Sequence, residues 1–350
     1  MRKAYSFCGL ACCICLQGLR AQEEPTKNIT WSGNGLQSPI EEPEAEPRLF
    51  LQVKATLNHA LVHDTNITQL PDGQVQVSDK SGASALTSLN LKFQKETESK
   101  DPATNLQLSL GQTRYLDSFF SNRNTQNVNV LWEKPFKGSP TSPWMSWNLK
   151  VGQRLDFLYA FGEQELAFST TTPGIMGVLK PLEKKTSFSD VFVPIVGLDL
   201  ECRDYKHRYA QDTLAENKDT LTPSITGILL ALKQHQSFKS RTMLLSNIRQ
   251  GFGDSNDSEV FNLRLGLSWT ASLKHFDLTP DVVWALRQQD NTTGQQRDDD
   301  LCEGGLAGNY RFNQERSELK LFVRYGEQSS NLTAFEYQST KFGLSATHRF

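Results

Sequence analysis

Cysteine is scarce in this chain, and most of it sits in one place. Of the six, Cys8, Cys12, Cys13 and Cys15 crowd the N-terminus. Only Cys202 and Cys302 lie beyond, too few for a disulfide scaffold or a zinc-ligand cluster. One bridge between them or two thiols are both compatible with the sequence. Long apolar runs are also missing: after residue 21 nothing approaches the roughly 20 apolar residues of a spanning helix, which excludes a helical membrane protein. Net charge is nearly absent, 37 Lys+Arg against 39 Asp+Glu, so nothing argues for a nucleic-acid partner. G-x-S-x-G, H-E-x-x-H and P-loop signatures do not occur. No cofactor is implied, and no metal: Asp254–Asp257 and Asp298–Asp300 lack the spacing and closing Glu of an EF-hand and read as solvated loop charges. Five N-x-S/T sequons, starting at Asn28, Asn66, Asn256, Asn291 and Asn331, read as coincidence in an Asn- and Thr-rich chain.

What is present begins with Arg2 and Lys3, followed by an uncharged apolar stretch to Leu19 and a small residue, Ala21, before Gln22. A charged head, a short apolar stretch and a small-residue cut site make a secretory signal peptide over residues 1–21. Residues 22–47 carry Glu23, Glu24, Glu41, Glu42, Glu44 and Glu46 with several prolines. Such a stretch has too little apolar surface to offset its ordering entropy and reads as a disordered acidic segment.

From Arg48 onward the pattern has period two. Leu49, Leu51, Val53, Ala55 and Leu57 alternate with polar residues, as do Leu89, Leu91 and Phe93, and Leu106, Leu108 and Leu110. Val128, Val130 and Trp132 form a further set, and Trp147, Leu149, Val151, Leu155 and Phe157 another. Val196, Leu198 and Leu200 follow, then Ile228, Leu230 and Leu232, and more weakly Met243 and Leu245. The longest stripes are Phe261 to Trp269, Phe276 to Leu286 and Leu319 to Tyr325. Alternate residues of a strand face opposite sides, so each set is an apolar face backed by a polar one. The strand between 163 and 178 is poorly defined.

A soluble β-sandwich alternates too. Three features favour a membrane barrel, whose strands turn apolar residues to lipid and polar residues to a lumen. The polar face is rich in charge: Lys54, Lys92, Lys150, Arg154, Asp199, Glu201, Arg264, Asp277, Asp281, Lys320 and Arg324 are the expected lumen-lining residues. Aromatic residues such as Trp132, Trp147, Trp269, Trp284 and Tyr325 stand near strand ends, where interfacial girdles lie. Longer connections (63–83, 204–222, 251–257, 288–300, 328–334) fall on one side and shorter ones (97–103, 236–238, 271–274, 313–316) on the other. Residues 48–350 therefore read as an all-β, transmembrane antiparallel up-and-down barrel of about fourteen strands, with twelve and sixteen also compatible with closure.

The chain ends on a stripe of its own: Phe342, Leu344, Ala346, His348 and Phe350 share one parity. This resembles the terminal-strand signal of bacterial outer-membrane proteins, which the barrel-assembly machinery reads by pairing with the last strand. His348 departs from it where a hydrophobic residue is typical, and Ser345 where glycine is common. The resemblance implies insertion in outer-membrane lipid.

A barrel of that size is wider than the kind side chains fill. The expectation is a porin-like channel, monomeric or homotrimeric, for passive diffusion of small hydrophilic solutes. Lys150, Arg154, Arg264, Lys320 and Arg324 suggest a mild anion preference. The alternatives are a non-conducting adhesin or anchor and, less favoured, a barrel enzyme using a His275–Asp277 pair on one strand face.

Overall fold

The computed structural model describes residues 50–66, 81–96, 103–116, 124–160, 163–183, 186, 189–205, 219–253, 260–290 and 296–350. The expected signal peptide and acidic segment, and Asp254–Asp257, lie outside these residues.

Fourteen long strands account for most of them. The first seven are β1 (Phe50–Asp64), β2 (Gly82–Glu96), β3 (Asn105–Tyr115), β4 (Thr125–Lys137), β5 (Trp144–Ala160), β6 (Glu163–Leu179) and β7 (Val191–Tyr205). The second seven are β8 (Thr220–Gln234), β9 (Lys239–Gln250), β10 (Val260–Ser272), β11 (Phe276–Asp290), β12 (Gln296–Phe312), β13 (Ser317–Ser330) and β14 (Tyr337–Arg349). Each pairs antiparallel with its neighbours in sequence, and β1 pairs with β14, so the sheet closes with no long strand left at an edge. The two-residue ladders Leu182–Glu183 and Phe252–Gly253 add to its rim.

β6, which the sequence left undefined, is a full strand of 17 residues. Its pattern is obscured by a β-bulge. Asp156 pairs with Phe168 and Phe157 with Leu166, so Ala167 is passed over and the parity of β6 changes there. The connections after β1, β7, β9, β11 and β13 lie at one end, called upper, and those after β2, β8, β10 and β12 at the other, called lower. Two departures are residues 161–162, short on the long-loop side, and residues 180–190, long on the opposite side.

A closed sheet has a convex and a concave face, and side chains spread apart on the convex one. Leu61, Leu198, Ile225, Leu244, Leu267, Leu321 and Leu344 are 41–61% exposed on it. The fully buried apolar residues among those described are small: Ala60, Ala167, Ala231, Val283 and Ala307. There is thus no central apolar core. The apolar surface points outward as a band around the barrel, the arrangement of a β-barrel whose solvent is lipid. Aromatic pairs reinforce its lower rim, where Phe136 stacks on Trp147 with centroids 3.9 Å apart.

The register puts two of the apolar sets on the other face. Ile225 and Leu229 continue the convex stripe of Leu198, and they pair with Ile248 and Leu244. Ile228, Leu230 and Leu232, with Met243 and Leu245, therefore face inward. The expectation that these sets belong to the lipid face is corrected. β8 and β9 carry aliphatic residues on both faces, and alternation alone cannot rank two apolar faces.

Cys202 has Thr171 and Leu221 as Cα partners, Cys302 has Trp284 and Glu327, and both thiols are free. Their strands, β7 and β12, are not neighbours, which settles the question the sequence left open.

Adjacent positions on β3 test the assignment of faces. Leu110, on the outer face between Leu89 and Val128, changed to Arg should cost about 2–4 kcal/mol of stability in lipid vesicles. Ser109→Arg, on the inner face, should cost well under 1 kcal/mol. Urea titrations in lipid vesicles read the difference, and equal costs would contradict the assignment.

Candidate functional site: the lumen wall

A polar residue on the concave face of a wide barrel meets water and other side chains rather than a core. Lys54 and Lys92 are direct Cα partners on β1 and β2. Lys150 and Arg154 lie on β5, Asp199 and Glu201 on β7, Arg264 on β10, Asp277 and Asp281 on β11, and Lys320 and Arg324 on β13. All of these share the parity opposite to the outward apolar stripes, so the register sets them on the inner face.

Most of these charges meet each other. Lys150 Nζ lies 2.7 Å from Asp199 Oδ1, although the two strands are separated by β6. Gly174 is the β6 residue between them, and a Cβ there would collide with the Asp199 carboxylate and stand 2.8 Å from Lys150 Cε. The same device recurs across β12. Arg324 Nη2 lies 2.5 Å from Asp281 Oδ2 over Gly305, where a Cβ would stand 2.9 Å from Asp281 Oδ1. A strand spans such a bridge only if it contributes no side chain of its own.

Glu201 accepts from Arg203 at 2.8 Å and from Arg249, two strands away on β9, at 3.1 Å. Arg154 holds Asp156 at 2.6 Å, and Glu303 is a second partner of Arg324 at 3.4 Å. Near the lower rim Arg311 donates to Asp277 at 2.9 Å. Arg203, Arg249 and Arg311 were not among the sequence candidates. They occupy strand ends, where the apolar stripes fade and parity is hardest to read.

Three corrections follow. The His275–Asp277 pair that the less favoured enzyme alternative would use does not form: His275 precedes β11, in the connection from β10, and the Asp277 carboxylate is held by Arg311. Of the five cations expected to favour anions, Lys150, Arg154 and Arg324 are neutralised by Asp199, Asp156 and Asp281. Asp299, one of the Asp298–Asp300 run, is buried against Arg297 rather than solvated. Among the described residues no group of three His, Cys, Asp or Glu is placed to hold a metal.

The terminal stripe Phe342, Leu344, Ala346, His348 and Phe350 lies outward in register with β13 and β1. The departure at position 348 is accommodated: the His348 ring packs edge-on to Phe350 at 4.5 Å and shares a 2.9 Å hydrogen bond with Ser317 Oγ.

Filling the gap under the Lys150–Asp199 bridge should break it. Gly174→Leu is expected to lower stability by about 1–3 kcal/mol through overpacking. Gly152→Ala, where a Cβ would meet atoms no nearer than 3.8 Å, should be nearly neutral. Unfolding midpoints of the two refolded variants check this.

No family model matches the sequence, and no curated protein matches it. Solved structures are similar to the barrel. One is a loop-deletion mutant of OmpT, an outer membrane protein of Vibrio cholerae: 9% identity, 86% of this chain and 99% of that one, TM-score 0.41. Another is an anion-selective porin from Comamonas acidovorans: 10% identity, 87% and 100% coverage, TM-score 0.42. A third is OccK2 of Pseudomonas aeruginosa: 9% identity, 86% and 97% coverage, TM-score 0.32. On its own geometry, a closed antiparallel ring with an outward apolar band and a charged inner face, the chain is a β-barrel of the outer-membrane type.

Proposed function

We propose that the barrel is a non-enzymatic channel for passive diffusion of small hydrophilic solutes, with a mild preference for anions. The observation that carries the preference is which inner-face charges remain without a counter-charge. Among the described residues Lys54, Lys92, Arg264 and Lys320 have no acidic partner, and neither does Arg241. The inner-face carboxylates Asp156, Asp199, Glu201, Asp277, Asp281 and Glu303 are all paired with cations. Glu133, which accepts a weak 3.4 Å hydrogen bond from Asn148, is the exception. Paired charges cancel at the distance of a passing ion, and unpaired ones set the local potential. The terminal outward stripe supports recognition by the barrel-assembly machinery, and the leader supports export through the inner membrane.

Single-channel recording in planar bilayers, using the chain from Gln22 refolded in detergent, tests the channel. Ohmic steps with an anion-selective reversal potential in a KCl gradient are expected. Changing both Lys54 and Lys92 to Glu should lower the anion-to-cation permeability ratio about fivefold, as ~1 kcal/mol of ion–lumen interaction implies. Silence from a demonstrably folded and inserted protein would leave the loops, in an adhesin or anchor, as the working part.

A further inference from the structure

The inner face is not uniformly polar. Two cross-strand rows, Ile195–Ile228–Leu245 and Val193–Leu230–Met243, are direct Cα partners across β7, β8 and β9. They form a contiguous aliphatic wall inside the barrel. A surface of that kind facing an aqueous lumen is costly to hydrate and marks a binding surface.

Its position relative to the unpaired lysines is fixed by topology. β1–β2 and β8–β9 are seven strands apart in a ring of fourteen, which places them diametrically opposite. The heights also agree. Lys54 is the fifth residue from the lower end of β1, Lys92 the fifth from the lower end of β2, and Lys320 the fourth in β13. Ile195 and Met243 are each the fifth residue of their strands, and Ile228 and Leu230 lie in the last seven of β8. The lower half of the lumen thus has a basic wall facing an aliphatic one, and the aliphatic wall has a cation at its foot, Arg241, on the same face of β9 as Met243.

The basic wall is built at some cost. Lys54 and Lys92 stand directly opposite each other on adjacent strands, an arrangement that destabilises a sheet by roughly 0.2–1 kcal/mol. No carboxylate among the described residues relieves it, so the pair adds two uncompensated positive charges to this side of the lumen. Fourteen strands about 4.8 Å apart, tilted about 40°, give a ring roughly 28 Å across between backbones. Side chains from both walls shorten that span, and the field of the lysines extends about 10 Å into 0.1 M salt.

We propose that the lower lumen is a binding site for amphipathic monoanions, specifically a carboxylate carrying an unbranched hydrocarbon tail. The tail lies along Ile228, Leu230, Met243 and Leu245, and the carboxylate lies at Arg241 on the same face of β9. The field of Lys54, Lys92 and Lys320 across the lumen draws the anion in. Small hydrophilic ions feel only the cations. A tailed carboxylate gains from the aliphatic wall beside Arg241 as well and is retained longer at this level of the channel. The inference rests on the anion-channel reading and names the solute class that this lumen favours.

The test is block of single-channel KCl current by acetate and by octanoate, which carry the same charge, with octanol as the neutral control. Octanoate is expected to block at a concentration at least about tenfold below acetate, a modest share of what six added methylenes supply on full burial. Octanol should have little effect. Changing Ile228 and Leu230 to Ser should erase the difference between the two carboxylates while leaving KCl conductance and anion preference unchanged, which also shows the variant to be folded. Changing Lys54 and Lys92 to Gln should weaken both carboxylates together. Anion preference without tail dependence would overturn this proposal and spare the channel reading, whereas cation preference would remove that reading first. Current that rises on deletion of residues 22–47, with no response to octanoate, would assign the aliphatic wall to a segment of the chain itself and also overturn it.

Discussion

Backbone hydrogen bonding that closes on itself is the condition on which everything else in this barrel depends. A strand in hydrocarbon finds no water for its N–H and C=O groups, so an unpaired edge is not tolerated. The seam between β1 and β14 removes that edge. Nine consecutive residue pairs, from Thr56 with Arg349 to Asp64 with Lys341, join the first strand to the last. Both ends of the seam are pinned. At the bottom the Phe350 amide donates to the Ala55 carbonyl at 2.9 Å. At the top Asp64 accepts from Ser339 Oγ at 2.6 Å and from the Asn66 amide at 2.8 Å, while Asn66 Nδ2 donates to the Gln338 carbonyl.

Once the ring is closed it has no apolar core to hold it in shape, and its inner wall takes over part of that task. The Lys150–Asp199 and Arg324–Asp281 bridges tie strands that are not neighbours, each passing over a glycine in the strand between. Ion pairs that water still reaches, these partly buried ones among them, contribute modestly to stability. Their larger effect here is on the field inside the barrel. By consuming nearly all the inner-face carboxylates among the described residues, they leave a handful of cations without a counter-charge.

The lumen that results is asymmetric around its circumference. Lys54, Lys92 and Lys320 stand on β1, β2 and β13, and aliphatic side chains collect across β7 to β9 with Arg241 at their foot and Arg264 on the next strand. Because β8 and β9 turn aliphatic residues both to lipid and to lumen, this part of the wall is amphipathic in neither direction.

Much of this was legible in the sequence. Strict alternation in stripes such as Phe261–Trp269 and Leu319–Tyr325, sorted connection lengths and the terminal aromatic stripe determined an antiparallel barrel of about fourteen strands. They also determined the parity on which Lys54, Asp199 and Arg324 lie, because side chains on a strand can only alternate. Three things were decided by tertiary structure alone. The bulge at Ala167 hid β6, since one extra residue reverses every parity beyond it. The inward turn of Ile228 and Met243 needed the register with Leu198 and Leu267, because two apolar faces on one strand look alike. Which charges are spent on each other depends on strands brought together by closure, with a glycine between them, and no period along the chain records that.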